Sequence, residues 1–249
     1  MKVGKLKVKI FNTRKEMGEE AAKDIESCFK DLFKKKKNLN VVFAAAPSQN
    51  DVLKALVENK KIPWNKINAY HMDEYINLKK SASQCFSNFL KAHIFDLVPF
   101  KSVNLINSEN DTKKEIKRYE DLLKKNPPDL VVLGIGENGH IAFNDPSVAD
   151  FKDKKIIKSV KLDEVCRQQQ VNDGCFKKLS DVPTHALTLT IPTLYKAKHL
   201  FCVVPCKTKA KAVFETLNGK IDEHCPASIL RRHSHATLYL DKDSSKLLK

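Results

Sequence analysis

Three observations in the 249-residue chain predict an α/β fold: a single domain with a doubly wound, mostly parallel sheet and helices on both faces. Short runs of branched apolar residues, as at 129–133 and 40–46, read as strands buried on both sides. Between them lie longer stretches with apolar residues at helical spacing, and strands alternating with helices imply parallel strands joined by crossovers. No Gly-, Ser- or Pro-rich linker and no internal repeat divides residues 1–249, so one domain is expected.

In chain order, Leu6, Val8 and Ile10 alternate with lysines, the pattern of a half-exposed or edge strand. Thr13 and Glu16 have capping-box spacing ahead of a helix that puts Met17, Ala21, Ile25, Phe29 and Leu32 on one face. The lysine run at 34–37 ends it. The continuous apolar strand at 40–46 is expected near the centre of the sheet. Ser48 and Asp51 repeat the capping signature before a helix through Val52, Leu53, Leu56 and Val57. A strand at 67–71 runs out at Asp73 and Glu74, and a helix at 83–95 carries Phe86, Phe89, Leu90 and Ile94 as its stripe. A strand at 103–106 and a charged helix at 111–125, stopped by Pro127 and Pro128, lead to the strand at 129–133. Beyond it, strands are expected at 156–162, 185–191, 200–204 and 236–240, with helices at 163–171 and 209–217. Asn218 and Gly219 close the last helix.

A hydrophobic share of 42% and a charged share of 30% suit an ordinary globular protein. No apolar run approaches the roughly 18 residues of a membrane span, and the first residues lack the apolar core of a signal peptide. A cytoplasmic protein is expected. Seven scattered cysteines, an odd number, argue for buried thiols rather than a disulfide framework, and no metal-ligand spacing is visible. The net charge of +15 comes mostly from lysine; only five of the 45 basic residues are arginine, which nucleic-acid readout favours. A Lys-biased solvated surface is expected, with no nucleic-acid partner.

The strand at 129–133 breaks at Gly134, and residues 134–139 use three of the chain's seven glycines. His140, Asn144 and Asp145 follow within six residues. Ligands of open α/β sheets bind just past the carboxyl ends of strands, which makes this the candidate active site. Three other strand ends carry polar groups: residues 46–49, Asp73 with Glu74, and Thr208 with Lys209. A doubly wound sheet can bring all four to one crevice. Lys209 stands out, because a cation in a helix's first turn opposes the helix dipole unless an anion compensates it. A carboxylate at a strand end can act as a base, histidine is the natural acid/base near neutral pH, and a helix start with a lysine can hold a phosphate. Such chemistry requires no metal and no organic cofactor.

GIGENGHIAFNDP at 134–146, with HMDEY at 71–75, resembles the glucosamine-6-phosphate deaminase/isomerase family, whose patterns are close to GxGxxGHIxFNEP and NMDEY. The likeness extends over nearly the whole chain, including VPTHALTLTIPTL at 182–194 and CKTKAKAV at 206–213. The sister family, 6-phosphogluconolactonase, typically has HTASLFP and DER at the two motifs and is less similar. The resemblance implies conversion of an amino-sugar phosphate, glucosamine-6-phosphate, to a ketose phosphate and ammonia. Asp73 then moves a proton between C2 and C1, and His140 opens the sugar ring. Asp145 assists His140 from a side chain one methylene shorter than the family's glutamate, and Asn138 stands where some members carry an aspartate. Lys209 matches a phosphate-binding lysine, with Ala45, Ala46, Ser48, Glu74, Gly136 and Asn172 at substrate-binding positions.

Two departures from the family concern the phosphate. Its glycine-rich loop, near TGGTP, reads AAAPSQN at 44–50, and its phosphate arginine aligns with Asn172. Arg167 matches a second family arginine. The partner expected is a small sugar phosphate, homo-oligomerisation stays open, and the rival readings are a sugar-phosphate lactonase and a non-catalytic sugar-phosphate sensor.

Overall fold

The computed structural model describes residues 1–248. In chain order the elements are β1 (Lys2–Val3), β2 (Leu6–Phe11), α1 (Arg14–Phe33), β3 (Leu39–Phe43), α2 (Asn50–Glu58), β4 (Ile67–His71) and β5 (Asp73–Tyr75). There follow α3 (Phe86–Leu90), β6 (Ser102–Asn104), α4 (Thr112–Lys125), β7 (Leu130–Leu133), β8 (Ile157–Lys161) and α5 (Glu164–Asn172). The chain ends with β9 (His185–Leu189), α6 (Ile191–Tyr195), β10 (His199–Val204), α7 (Ala210–Asn218) and β11 (Ala236–Asp241). Eight strands form the main sheet in the order β1-β2-β11-β10-β7-β3-β4-β6, parallel throughout except for the β1–β2 hairpin.

The central strands show why both faces need cover. Successive side chains of a strand point to opposite sides. Val41 and Phe43 of β3, with Leu130 and Val132 of β7, enter one core beside Met17, Ile25 and Phe29 of α1 and Leu53 and Leu56 of α2. Val42, Val131 and Leu133 enter the other, beside Tyr119 and Leu123 of α4 and Val213 and Leu217 of α7. Leu53 is fully buried, and truncating such a leucine to alanine costs about 2–5 kcal/mol. The capping box at the start of α1 forms: Thr13 Oγ1 accepts from the Glu16 amide at 3.1 Å, and Glu16 accepts from the Thr13 amide at 3.3 Å.

The structure departs from the sequence expectations in four places. Residues 156–162 and 185–191 do not join the main sheet. They give β8 and β9, which pair antiparallel with each other and with β5 in a second sheet of order β5-β9-β8. Asp73 lies just past the end of β4, as expected, but it opens a further short strand, where it pairs with Thr188. The helix expected at 83–95 begins at Phe86 and changes to a π-helical turn at Lys91–Phe95. Ser48 caps nothing: a 3₁₀ turn at Pro47–Gln49 feeds α2 without a side-chain cap. Gly219 does end α7, but with φ −69° rather than in a left-handed turn. A Cβ there would meet the Glu215 carbonyl oxygen at 2.7 Å, so close approach is what requires glycine. Among the described residues all seven cysteines are free, and no helix is long and apolar enough to cross a membrane.

Candidate active site

The loop after β7 is built around one imidazole. His140 is buried, and its Nδ1 lies 2.7 Å from Asn138 Oδ1 and 3.0 Å from Asp145 Oδ1. Asn138 Nδ2 donates to Asp145 Oδ1 at 2.9 Å, which fixes the amide with its oxygen toward His140. Facing two acceptors, Nδ1 carries a proton, which leaves Nε2 as the nitrogen without a protein partner among the described residues. Burial works to raise the Asp145 carboxyl, but the His140 hydrogen bond and charge and the Asn138 amide outweigh it, and its pKa falls below the usual range.

The backbone is shaped to admit this ring. A Cβ on Gly136 would sit 2.1–2.3 Å from three His140 ring atoms, so only glycine leaves room. Gly139 takes φ +84° and Ala142 φ +51°. A non-glycine residue in that left-handed region costs roughly 1–2 kcal/mol. Asn144 offsets it: its Nδ2 donates to the carbonyls of Ile141 and Leu189, each at 2.9 Å.

Asp73 and Glu74 are adjacent carboxylates with different surroundings. Glu74 is fully buried and accepts from the amides of Tyr75, Phe86 and Ser87 at 2.9–3.1 Å. It caps the start of α3 and does not line the cleft, a correction to its expected place in substrate binding. Alternation along β5 is the reason: Glu74 points away from the side that Asp73 faces. Asp73 is buried with no side-chain hydrogen bond among the described residues, and burial, then the Glu74 charge, raises its pKa well above the usual carboxylate range. A buried, unpartnered carboxyl beside a cleft is suited to taking and returning a proton.

Asp73, His140, Gly136, Ala45, Ala46 and Ser48 line one open cleft at the carboxyl ends of β3, β4 and β7. Asn138 and Asp145 stand behind His140. Asn172 is exposed at the end of α5, where it accepts from Gln168 Nε2 at 3.1 Å, and it lies outside the cleft. Gln169 and Gln170, one turn or less earlier on α5, line the cleft instead. Their only signal in the sequence is a run of three glutamines, of which the helix buries two.

Lys209 does not line the cleft either, yet it is 96% buried by its 4% exposure and its Nζ has no hydrogen-bond partner among the described residues. Burial lowers its pKa, opposed by the charges of Asp173 and Glu137. Gln169 connects this region to the cleft, accepting from the Glu137 amide at 2.9 Å and donating to Asp173 at 3.3 Å. The cleft-lining loop at 44–49 offers further donors: the Ala45 and Ala46 amides have no acceptor among the described residues. Gln49 is fully buried and anchors that loop through Nε2 to Ser48 Oγ and the Val203 carbonyl, at 3.0 and 3.1 Å. Cys166, which nothing in the sequence singled out, is a buried thiol of α5 against Asp145; burial, then the Asp145 charge, raises its pKa.

A family profile described as "Glucosamine-6-phosphate isomerases/6-phosphogluconolactonase" matches residues 12–239. A glucosamine-6-phosphate deaminase of Bacillus cereus (strain B4264) is 35% identical over 243 residues, covering 97% of this chain and 89% of that protein. The solved structure of a monomeric glucosamine-6-phosphate deaminase superposes with a TM-score of 0.87 at 28% identity, covering 97% of this chain and 100% of that one. A 6-phosphogluconolactonase from Thermotoga maritima shares the fold at a TM-score of 0.78 and 18% identity, over 95% of this chain and 100% of that one.

Proposed function

The chain belongs to the family of glucosamine-6-phosphate isomerases and 6-phosphogluconolactonases, and within it we propose that this protein converts glucosamine-6-phosphate and water to fructose-6-phosphate and ammonia. The observation that carries the reading is the pairing in one cleft of Asp73, a buried carboxyl without a partner, and His140, an imidazole held with Nε2 free. Ring opening moves a proton from the anomeric hydroxyl to the ring oxygen, which a base that also returns the proton can do. His140 Nε2 takes that part, with Asn138 and Asp145 holding the ring. Isomerisation then takes a proton from C2 and delivers one to C1, the work assigned to Asp73. Water adds at C2 of the resulting imine and ammonia leaves. Lactone hydrolysis has no use for a carbon base, and that separates the two branches of the family.

The phosphate of the substrate is assigned to Lys209, the free amides of Ala45 and Ala46, and Ser48. A buried ammonium without a partner is costly, and a substrate phosphate would supply the missing counter-charge. The test is an assay of ammonia release and lactone hydrolysis over glucosamine-6-phosphate, glucosamine and 6-phosphogluconolactone. The expected result is ammonia from the phosphorylated hexosamine, with solvent deuterium entering C1 of the product and C2 of recovered substrate, an exchange that Asp73→Asn abolishes. Lactone hydrolysis without ammonia from any hexosamine would overturn the reading, and equal turnover of free glucosamine would overturn the phosphate assignment.

A further inference from the structure

We propose that His140, Asp145 and Cys166 form an inhibitory site for a thiophilic divalent cation such as zinc. One donor atom from each of these buried side chains lies within 4.8 Å of the other two. His140 Nδ1 and Asp145 Oδ1 are 3.0 Å apart, and Asn138 Oδ1, 2.7 Å from the same nitrogen, is a fourth donor. Zinc takes four ligands tetrahedrally at about 2.0–2.3 Å, from sulfur, nitrogen and oxygen in mixed sets. Donors around one such ion stand roughly 3–4 Å from each other, and the three side-chain donors here already lie within 4.8 Å of one another. The cluster lies behind the His140 ring, whose other side lines the open cleft.

The sulfur sets the selectivity. Thiolate and imidazole favour zinc, cobalt and cadmium over magnesium and calcium, which prefer an all-oxygen shell. As the sulfur–metal bond forms, the Cys166 thiol proton leaves to solvent, and the proton on His140 Nδ1 moves to Nε2. The nitrogen assigned to ring opening is then no longer a free base. Inhibition therefore rests on the role proposed for His140, whereas binding rests on the ligand geometry alone.

The experiment reads the two separately. Metal-free protein is titrated with Co²⁺ alone and followed by its tetrahedral visible bands and its thiolate-to-cobalt charge-transfer band. Wild type should bind one Co²⁺ with both sets of bands, and Zn²⁺ but not Mg²⁺ should displace it. Cys166→Ser, which keeps the size of the side chain, should lose the charge-transfer band and at least about 10-fold in affinity. Zn²⁺ should inhibit ammonia release at least about 10-fold more weakly in that variant, each measured against its own metal-free rate. A charge-transfer band that survives in Cys166→Ser, or none in wild type, would overturn the site. Binding without inhibition would uphold the site and overturn the role of His140. Cadmium NMR of the wild-type protein keeps the proposal testable if the variant does not fold: one sulfur among nitrogen and oxygen ligands supports it, and an all-sulfur environment overturns it.

Discussion

The loops that follow β7 and β3 stand side by side, with a Cβ on Gly134 of one only 3.0 Å from Gln49 Nε2 of the other, yet they use backbone in opposite ways. The β7 loop depends on it: Gly136 makes room for a ring, Gly139 and Ala142 take left-handed turns, and Asn138 and Asp145 fix the His140 ring through Nδ1. The β3 loop makes no such demand. Ala46 is extended at φ −165°, no residue from 44 to 49 has positive φ, and the segment is held from outside by Arg14 on the Pro47 carbonyl at 3.0 Å and by Gln49 on Val203. That is why alanines stand where the family has glycines without strain. The lesson is that chemistry and grip are separable here: the loop assigned to bond-making keeps the family's glycines and histidine and changes only the side chains behind the ring, Asn138 and Asp145, while the loop assigned to the phosphate is built on ordinary backbone.

The largest effect should follow from breaking the stricter loop at its tightest point. Gly136→Ala puts a methyl where the imidazole lies, so it should lower kcat by about 10²–10⁴-fold, as His140→Ala should by removing the base itself. Steady-state kinetics beside circular dichroism would check this. A Gly136→Ala enzyme within a few-fold of wild type would show that the ring position is not critical.

Lys209→Met probes the grip and should raise KM by about 10- to 100-fold, the worth of one or two charge-assisted hydrogen bonds, while changing kcat far less. It has a second readout. Because burial depresses the Lys209 pKa, the folded chain binds fewer protons than the unfolded one between that value and about 10.4, and stability rises with pH across the interval. Lys209→Met should therefore unfold at a higher temperature than wild type at neutral pH. The gap should close as the pH climbs from the depressed folded pKa toward the unfolded one. Thermal melts across that range would test the sign.

The smallest effect belongs to Ala46→Gly, which restores a family-like glycine. It should leave KM within a few-fold and cost about 0.5–1 kcal/mol in urea unfolding through the added freedom of the unfolded chain. A large fall in KM would mean that the alanines restrict the phosphate after all, and the separation of chemistry from grip would be lost.

Much of this was legible in the sequence because it rests on local signals. The apolar strand at 129–133, the one expected at 40–46 (which ends three residues early, at Phe43), the capping box at Thr13 and the glycine-histidine loop all announce themselves within a dozen residues. Asp73, His140 and the 44–49 loop meet in one cleft as a doubly wound sheet allows. What stayed hidden depends on long-range partners. A three-residue strand such as β5 has no period to read, so the second sheet could not be foreseen, nor could the burial of Glu74 under α3. Ser48 and Asp51 have capping spacing, but Arg14 claims Asp51 at 2.6 Å from another helix. Cys166 reaches Asp145 from 21 positions away in a different element, so no ligand spacing betrays the cluster.

Only Met72 separates β4 from β5, and so the two groups assigned to catalysis ride on different sheets: Asp73 on the small one, His140 on the main one. The seam is closed by the Phe143 amide on Thr188 Oγ1 at 3.1 Å, Asn144 on the Leu189 carbonyl, the rings of Tyr75, Phe86 and Phe143 with centroids 4.9–5.5 Å apart, and a buried cluster that joins Ile157, Leu187 and Leu189 to Val131, Leu133 and Ile141. Among the described residues no backbone ladder joins the two sheets, so the spacing between carbon base and imidazole is set by side-chain packing and a few hydrogen bonds across the seam. A pyranose and its opened chain differ in length, and the distance that must suit both is fixed by side chains and not by a strand register.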